Sequence, residues 1–477
     1  MRAHLGLSLH PVVVVLLALL LITTTLTLTL NHRAGVSAAA AAAPSSVADD
    51  GPAVVLEEDA AGAFHINTSD PLQHPVYING VDVLAAARAQ QHVIREQQNA
   101  VTSLAAKMEG RKAMIRALTA QTELLSKRLC AAGVVQPSID TTTITGISVP
   151  GPDPNGLSKW SGGVLAPNGL IYAMPSNAES VLIIDPSTNT ADSTTIPSVF
   201  LDDDTTMKTK WVGGVLADNG LIYGIPYSAL SVLIIDPKTN TVDATTMAGL
   251  APENDMKWSN GVLADNGLIY SVPYSSTAVL IIDPATNTTD TSTIAGFSIA
   301  CCKWYMGVLA SNGLIYAAPR NADAVLILNP ATNTFDLTRI AGLGSGSDRW
   351  YDTVLGSNGL IYGIPLRADA VLIIDPATNT TDVTTMAGFD PSVSKWISGI
   401  RASNGLIYGL PVSTGAILVI NTATNTMHTT TTTLPVTVDS LLPWVGGVFV
   451  SNVNGSSGLV YAMPHSADSV LIIDSGC

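Results

Sequence analysis

Asp352 is the residue of this chain best placed for acid–base chemistry, because of its position in a repeat. Two residues after each of seven tryptophans stand Gly162, Gly213, Asn260, Met306, Asp352, Ser398 and Gly446. Asn260, Asp352 and Ser398 break the small-residue rule at that position and are candidates to surround a ligand. A carboxylate there can serve as general acid or base once its pKa moves toward neutrality. Sugar hydrolysis would require a second carboxylate about 5–9 Å away. That makes Asp352 the weak catalytic candidate for a carbohydrate or lactone hydrolase or lyase.

A second set of positions suits binding better than bond breaking. After a proline that recurs in every repeat come Ser176, Tyr227, Tyr274, Arg320, Leu366, Val412 and His465, with Arg367 close behind. Tyr227, Tyr274, Arg320, Arg367, His465, Asn260, Asp352 and Ser398 form the candidate binding set, for a protein or glycan ligand. Other chemistry is thinly represented. Only His428 and His465 fall among the repeats, which excludes a histidine metal cluster. No Ser-x-Asp-x-Gly-x-Thr-Trp box is present. Gly342-Leu343-Gly344-Ser345-Gly346 lies in a loop, not between a strand and a helix, so it is no phosphate cradle. Asp202, Asp203 and Asp204 are weak candidates for calcium; no other cofactor is expected.

Four cysteines are too few for a disulfide scaffold. Cys301 and Cys302 share an inter-repeat loop and read as two buried or idle thiols, with a redox or metal role as the alternative. Cys130 suits a link between chains, or a reach to Cys477. The net charge of −15 is uneven. Residues 1–130 hold ten basic and ten acidic residues, whereas residues 131–477 hold twelve and twenty-seven. An acidic body repels phosphate backbones, so no nucleic-acid partner is expected.

These residues must be positioned by the repeat. The tryptophans are Trp160, Trp211, Trp258, Trp304, Trp350, Trp396 and Trp444, spaced 51, 47, 46, 46, 46 and 48 residues apart. Each unit contains four short strand patterns: Gly-Gly-Val-Leu-Ala, Leu-Ile-Tyr, Val-Leu-Ile-Ile and a Thr-rich tail. Asn-Gly pairs such as Asn168-Gly169 turn the first strand into the second. Asp-Pro followed by Thr-Asn-Thr turns the third into the fourth. The period and strand count predict an all-β propeller of seven four-stranded antiparallel blades. Its tryptophans pack blades rather than stack sugars.

The last unit stops after its third strand, Val470 to Asp474. A fourth strand without a unit stands ahead of the first repeat, at Ile139-Asp140-Thr141-Thr142-Thr143-Ile144. Residues 138–146 are therefore expected to complete blade seven and latch the ring, which removes two exposed edges. The propeller spans 138–477. The units resemble those of kelch-type propellers, in which a Gly pair, an Ile-Tyr strand and a strand ending in Asp-Pro recur at this period. Kelch units usually place a Gly pair directly after the Ile-Tyr strand; here Pro175, Pro226 and their equivalents stand in that neighbourhood. The chain is closer still to little-characterised repeat proteins built on Trp-x-Gly-Gly-Val-Leu-Ala. The resemblance implies a fold and no defined activity. Comparing the seven copies, the second-to-third-strand loops and the loops between blades vary most. In a propeller both sets lie on one face, the top, where function is expected.

Ahead of the repeats, residues 82–130 change period. Ile94, Gln97, Val101, Leu104, Met108, Arg111, Ile115, Leu118, Thr122, Leu125 and Leu129 form an a/d seam over five heptads. This predicts a helical coiled-coil stalk joining identical chains. Residues 34–81 read as a low-complexity linker. Within residues 1–33, Val12 to Leu30 is uncharged and reads as a signal-anchor or a signal peptide. Both place the rest of the chain in the secretory pathway, as a type II membrane protein or a secreted one. The sequons at Asn67, Asn287, Asn379 and Asn454 agree with a glycoprotein. The sequence thus predicts a non-catalytic recognition propeller, with a propeller enzyme or a structural surface coat as alternatives.

Overall fold

The computed structural model describes residues 55–58, 64–67, 77–78, 81–131, 137–147, 158–197, 209–250, 255–344, 346–430, 434, 442–453 and 456–475. The hydrophobic segment at 12–30, Asp202 to Asp204 and Asn454 lie outside these residues, as do the side chains of Asn67, Cys130 and Cys477.

Seven four-stranded antiparallel sheets form, one per repeat. Every inner strand starts at its tryptophan, from Trp160–Leu165 in blade 1 to Trp444–Val453 in blade 7. In each blade that tryptophan pairs with the proline ending the second strand, as Trp211 does with Pro226. The seven tryptophans are 0–4% exposed. Each indole N–H donates to a carbonyl of its own blade, for example Trp160 Nε1 to Ser180 O at 2.8 Å. They are packing residues anchored at their one polar atom.

The order of blade 7 closes the ring. Ser138–Asp140 pairs with Leu471–Asp474 as its outer strand. Asp140 also repeats the side-chain role of its counterparts. Its carboxylate accepts from the Thr142 and Thr143 amides, as Asp192 accepts from Thr194 and Thr195.

Adjacent blades are tied on the bottom face by the tyrosine of the Ile-Tyr strand. Tyr172 is fully buried, and its hydroxyl donates to Asn240 Oδ1 of blade 2 at 2.6 Å. Asn168 Nδ2 donates to the nearby Pro237 carbonyl. Tyr223, Tyr270, Tyr316 and Tyr362 make the same tie to Asn287, Asn333, Asn379 and Asn425. Tyr461 of blade 7 closes the series onto Asn189 of blade 1.

Glycines bring the inner strands together at the axis. Gly162 has φ +79°, and a Cβ there would stand 2.8 Å from Gly213 Cα. No side chain other than hydrogen fits so close an approach.

The helix α1, Val83–Ala131, is continuous over 49 residues, Gly110 included. Asp82 Oδ1 accepts from the Ala85 amide at 2.9 Å, an N-cap. The seam residues Ile94, Val101, Leu104, Met108, Ile115 and Leu118 are 51–66% exposed. Among the described residues no helix is long and apolar enough to cross a membrane. Within the stretch read as linker, Val55–Glu58 pairs with Phe64–Asn67, and Tyr77–Ile78 with Val81–Asp82.

Candidate functional site

The top end of the axis is closed by side chains. Val212, Tyr274, Tyr305, Met306, Tyr351, Leu366, Ile397, Val412 and Val445 belong to one buried cluster. They come from blades 2 to 7, and residues from six blades can meet only on the axis. The cluster draws on residues directly after the tryptophans, on residues directly after the strand-ending prolines, and on Met306, two residues after Trp304. Tyr305 and Tyr351 pack with ring centroids 3.9 Å apart. The Tyr305 hydroxyl interacts with Ser161 of blade 1.

Arg320 sits at the edge of this plug. Its guanidinium lies over the rings of Tyr274 and Tyr351, at 5.2 and 5.0 Å. Nε donates to Asp348 Oδ1 at 2.7 Å, and Nη1 donates to the Tyr274 hydroxyl. Tyr227 completes the arc, 5.4 Å from Tyr274. Across the axis blades 7 and 1 present a small polar corner. His465 and Ser176 are buried there. Among the described residues His465 Nδ1 and Ser176 Oγ have no hydrogen-bond partner. Burial pushes the His465 imidazole down to about 4, so it is neutral at physiological pH.

Asn260, Asp352 and Ser398 occupy a different place. They line a cavity of about 360 Å³ around the axis, with Gly162, Gly213 and Gly446. Of the cluster residues named above, Met306 is also among its walls, so the plug and the cavity adjoin there. Asp352 is the one ionisable group among those walls. Its Oδ1 accepts from the Thr353 amide at 2.6 Å, and its Oδ2 from the Gly399 amide of blade 6 at 2.8 Å. Burial pushes its pKa up to about 7, and the two amides offset part of that. Ser398 Oγ accepts from the Gly446 amide of blade 7 at 3.0 Å. Both side chains therefore tie one inner strand to the next.

Arg367 stands in a third place, a groove of about 490 Å³ shared with Arg349, Trp350, Asp369 and Pro391. Its Nε donates to Ser394 Oγ at 3.2 Å. The candidate binding residues thus divide into a mouth set, a channel set and a groove. Among the described residues no group of three or more His, Cys, Asp or Glu side chains is arranged to hold a metal ion.

Two features escaped the sequence reading. The first is a set of cations placed directly before six of the tryptophans, five buried lysines and the half-buried Arg349. Lys210, Lys257 and Lys303 donate to carbonyls of the preceding blade's top loop, Ala178, Ala229 and Ser276, at 2.9–3.0 Å. Arg349 donates to Ala322 in the same way, and Lys159 pairs with Asp468 at 2.7 Å. Lys395 instead holds its own loop through Asp390 O. The signal was present: Lys or Arg precedes six of the seven tryptophans. The second is a disulfide between Cys301 and Cys302, which corrects the reading of two idle thiols.

No protein-family model and no curated protein matches the chain. Solved structures do. Virginiamycin B lyase from Staphylococcus aureus superposes with a TM-score of 0.51 at 9% identity, covering 71% of this chain and 99% of that one. A streptogramin B lyase gives 0.50 at 12% identity, covering 71% and 97%. An extracellular domain of a one-component system from B. thetaiotaomicron gives 0.48 at 10%, covering 71% and 40%. At these identities the likeness is one of fold. The chain is a seven-bladed β-propeller repeat protein, closed by its own N-terminal strand.

Proposed function

We propose that this propeller is a non-catalytic recognition head whose top face binds a protein or glycan, displayed through the helix α1 on an assembly of identical chains. The observation that carries this reading is the separation of Asp352 from the top face. The Asp352 carboxylate is engaged by two backbone amides, and among the described residues that line the cavity there is no second carboxylate. The residues that vary most between blades are instead gathered around a closed mouth, where Tyr227, Tyr274 and Arg320 frame a rim. The exposed a/d seam of α1 suits a second copy of the same helix, and several heads on one stalk would add avidity. The segment Val12 to Leu30 would place the head in the secretory pathway, anchored or released. Units of kelch type remain part of this proposal.

A glycan and protein-ligand array probed with the intact chain, with and without calcium, tests it. The expected result is a specific hit that weakens at least tenfold in Arg320→Ala or Arg367→Ala. A blank array from folded protein would count against a recognition head and favour a structural coat.

One observation favours an enzyme instead. Asp352 titrates near neutrality beside a cavity, as a general acid or base should, and the similar solved propellers include two lyases. Turnover of a carbohydrate or lactone substrate, abolished in Asp352→Asn with the fold intact, would establish that reading.

A further inference from the structure

The geometry points to a thiol–disulfide exchange site at Cys301–Cys302, opened in the folded protein by a dithiol as reductant and closed by a disulfide as oxidant. This inference does not rest on the recognition reading above.

A structural disulfide stabilises mainly by closing a loop in the unfolded chain, and a bond between neighbours closes almost none. The loop that carries the pair also does not require it. Five blades place a left-handed residue two positions before the tryptophan: Ser158, Met256, Cys302, Asp348 and Leu442, with φ between 55° and 68°. In all seven blades the carbonyl at that position accepts an amide from the top loop of the same blade. Asn321 N to Cys302 O at 3.1 Å matches Asn177 N to Ser158 O at 2.8 Å and Arg367 N to Asp348 O at 2.8 Å. Six loops reach this arrangement without a crosslink, so the seventh retains it when the sulfurs part.

Access and electrostatics favour exchange. Cys301 is exposed and Cys302 half-buried, with Cys302 against the edge of the axial plug. Lys303, the residue next to Cys302, has its Nζ held at the Ala300 and Ser276 carbonyls, 3.0 Å from each, and although burial lowers its pKa to about 8 it is mostly cationic at neutral pH. A nearby cation favours the thiolate, which is both the leaving group and the product of exchange. In the first step an external thiolate attacks Cys301 Sγ, the Cys301–Cys302 bond breaks, and Cys302 leaves as thiolate. The second thiol of the reductant then attacks the mixed disulfide and releases Cys301. Two electrons pass to the pair, the cysteines gain the two protons of the dithiol, and the dithiol becomes a disulfide. An apolar sulfur pair on the rim becomes two polar thiols.

The intact chain is treated with dithiothreitol at neutral pH without denaturant, alkylated with iodoacetamide and mapped by peptide mass spectrometry. The 301–302 peptide should gain two alkyl groups while Tm stays within ~1 °C, a narrow margin because Tm responds weakly to destabilisation in large domains. On replacement of the dithiol by oxidised glutathione, the unalkylated pair should re-form as the glutathione disulfide is reduced to two thiols. A double variant, Cys301→Ser with Cys302→Ser, should fold with an unchanged Tm. Alkylation only after denaturation, unfolding on reduction, a destabilised double-serine variant, or a pair isolated as free thiols would each overturn the assignment.

Discussion

Asp352 and the outer-strand aspartates are opposite cases of one side chain, and pH separates them. Asp192 and Asp290 lie near the surface and accept hydrogen bonds from Thr195 and Thr194, and from Thr293 and Ser292. Those bonds, with burial opposing, hold both carboxyls down at about 2, against an ordinary 3.8. Their contribution to stability is complete above about pH 4 and is lost as pH falls through 2. Acid unfolding should therefore steepen below pH 4, and an Asp192→Asn, Asp290→Asn double variant should flatten that limb in a Tm-versus-pH series. Asp352 has the opposite sign. Its folded pKa of about 7 exceeds the unfolded value, so stability declines as pH rises from about 4 to 7. Asp352→Asn should abolish that decline. Asp352→Ala, which leaves the Thr353 and Gly399 amides without their acceptor, should destabilise by about 1–3 kcal/mol.

The strands owe their mutual placement to a few recurrent atoms. Removing one tyrosine hydroxyl, as in Tyr223→Phe, breaks the bond to Asn287 and should lower stability by about 1 kcal/mol in urea unfolding. Tyr408 is the exception that checks the idea. Its described side-chain bond is from Asn404 of its own blade, because blade 7 has no turn from third to fourth strand. Tyr408→Phe should therefore have a smaller effect. Gly162→Ala places a Cβ against the neighbouring backbone at positive φ and should destabilise by about 1–3 kcal/mol. Gly220→Ala, at similar φ with nothing within 4 Å, isolates the backbone part of that effect and should be milder. The same turns explain why two sequons are poor guides to glycosylation. Asn287 and Asn379 have their side chains engaged by Tyr223 and Tyr316, so sequence pattern there reflects a blade tie.

The ring and the stalk make separate claims about the assembled protein. If α1 joins copies of the chain, light scattering should report a multimer of the intact protein. Ile115→Asp with Leu118→Asp, both on the exposed seam, should reduce it to monomer with little change in the propeller's Tm. Loss of residues 138–146, which carry the closing strand Ser138–Asp140 and the isolated bridge from Thr145 to Ser469, should act in the reverse way, lowering Tm and leaving the outer edge of blade 7 open to aggregation.

Much of this architecture was legible in the residues. A strict period, Asn-Gly turns and a displaced Asp-x-Thr-Thr strand are local signals, and each follows from backbone preferences that operate within a few residues. They determined seven blades, the strand order and the closing strand, and they placed Asn260, Asp352 and Ser398 around the channel. What they could not show is which equivalent residues meet. Positions about 46 apart in the chain become neighbours only when the ring closes, so Tyr305, Tyr351 and Val212 met as a plug through radial geometry alone. That geometry put Asp352 in the channel and Arg320 at its mouth, where the sequence had grouped them as one site. It also joined Cys301 to Cys302, a bond that depends on loop conformation rather than on spacing.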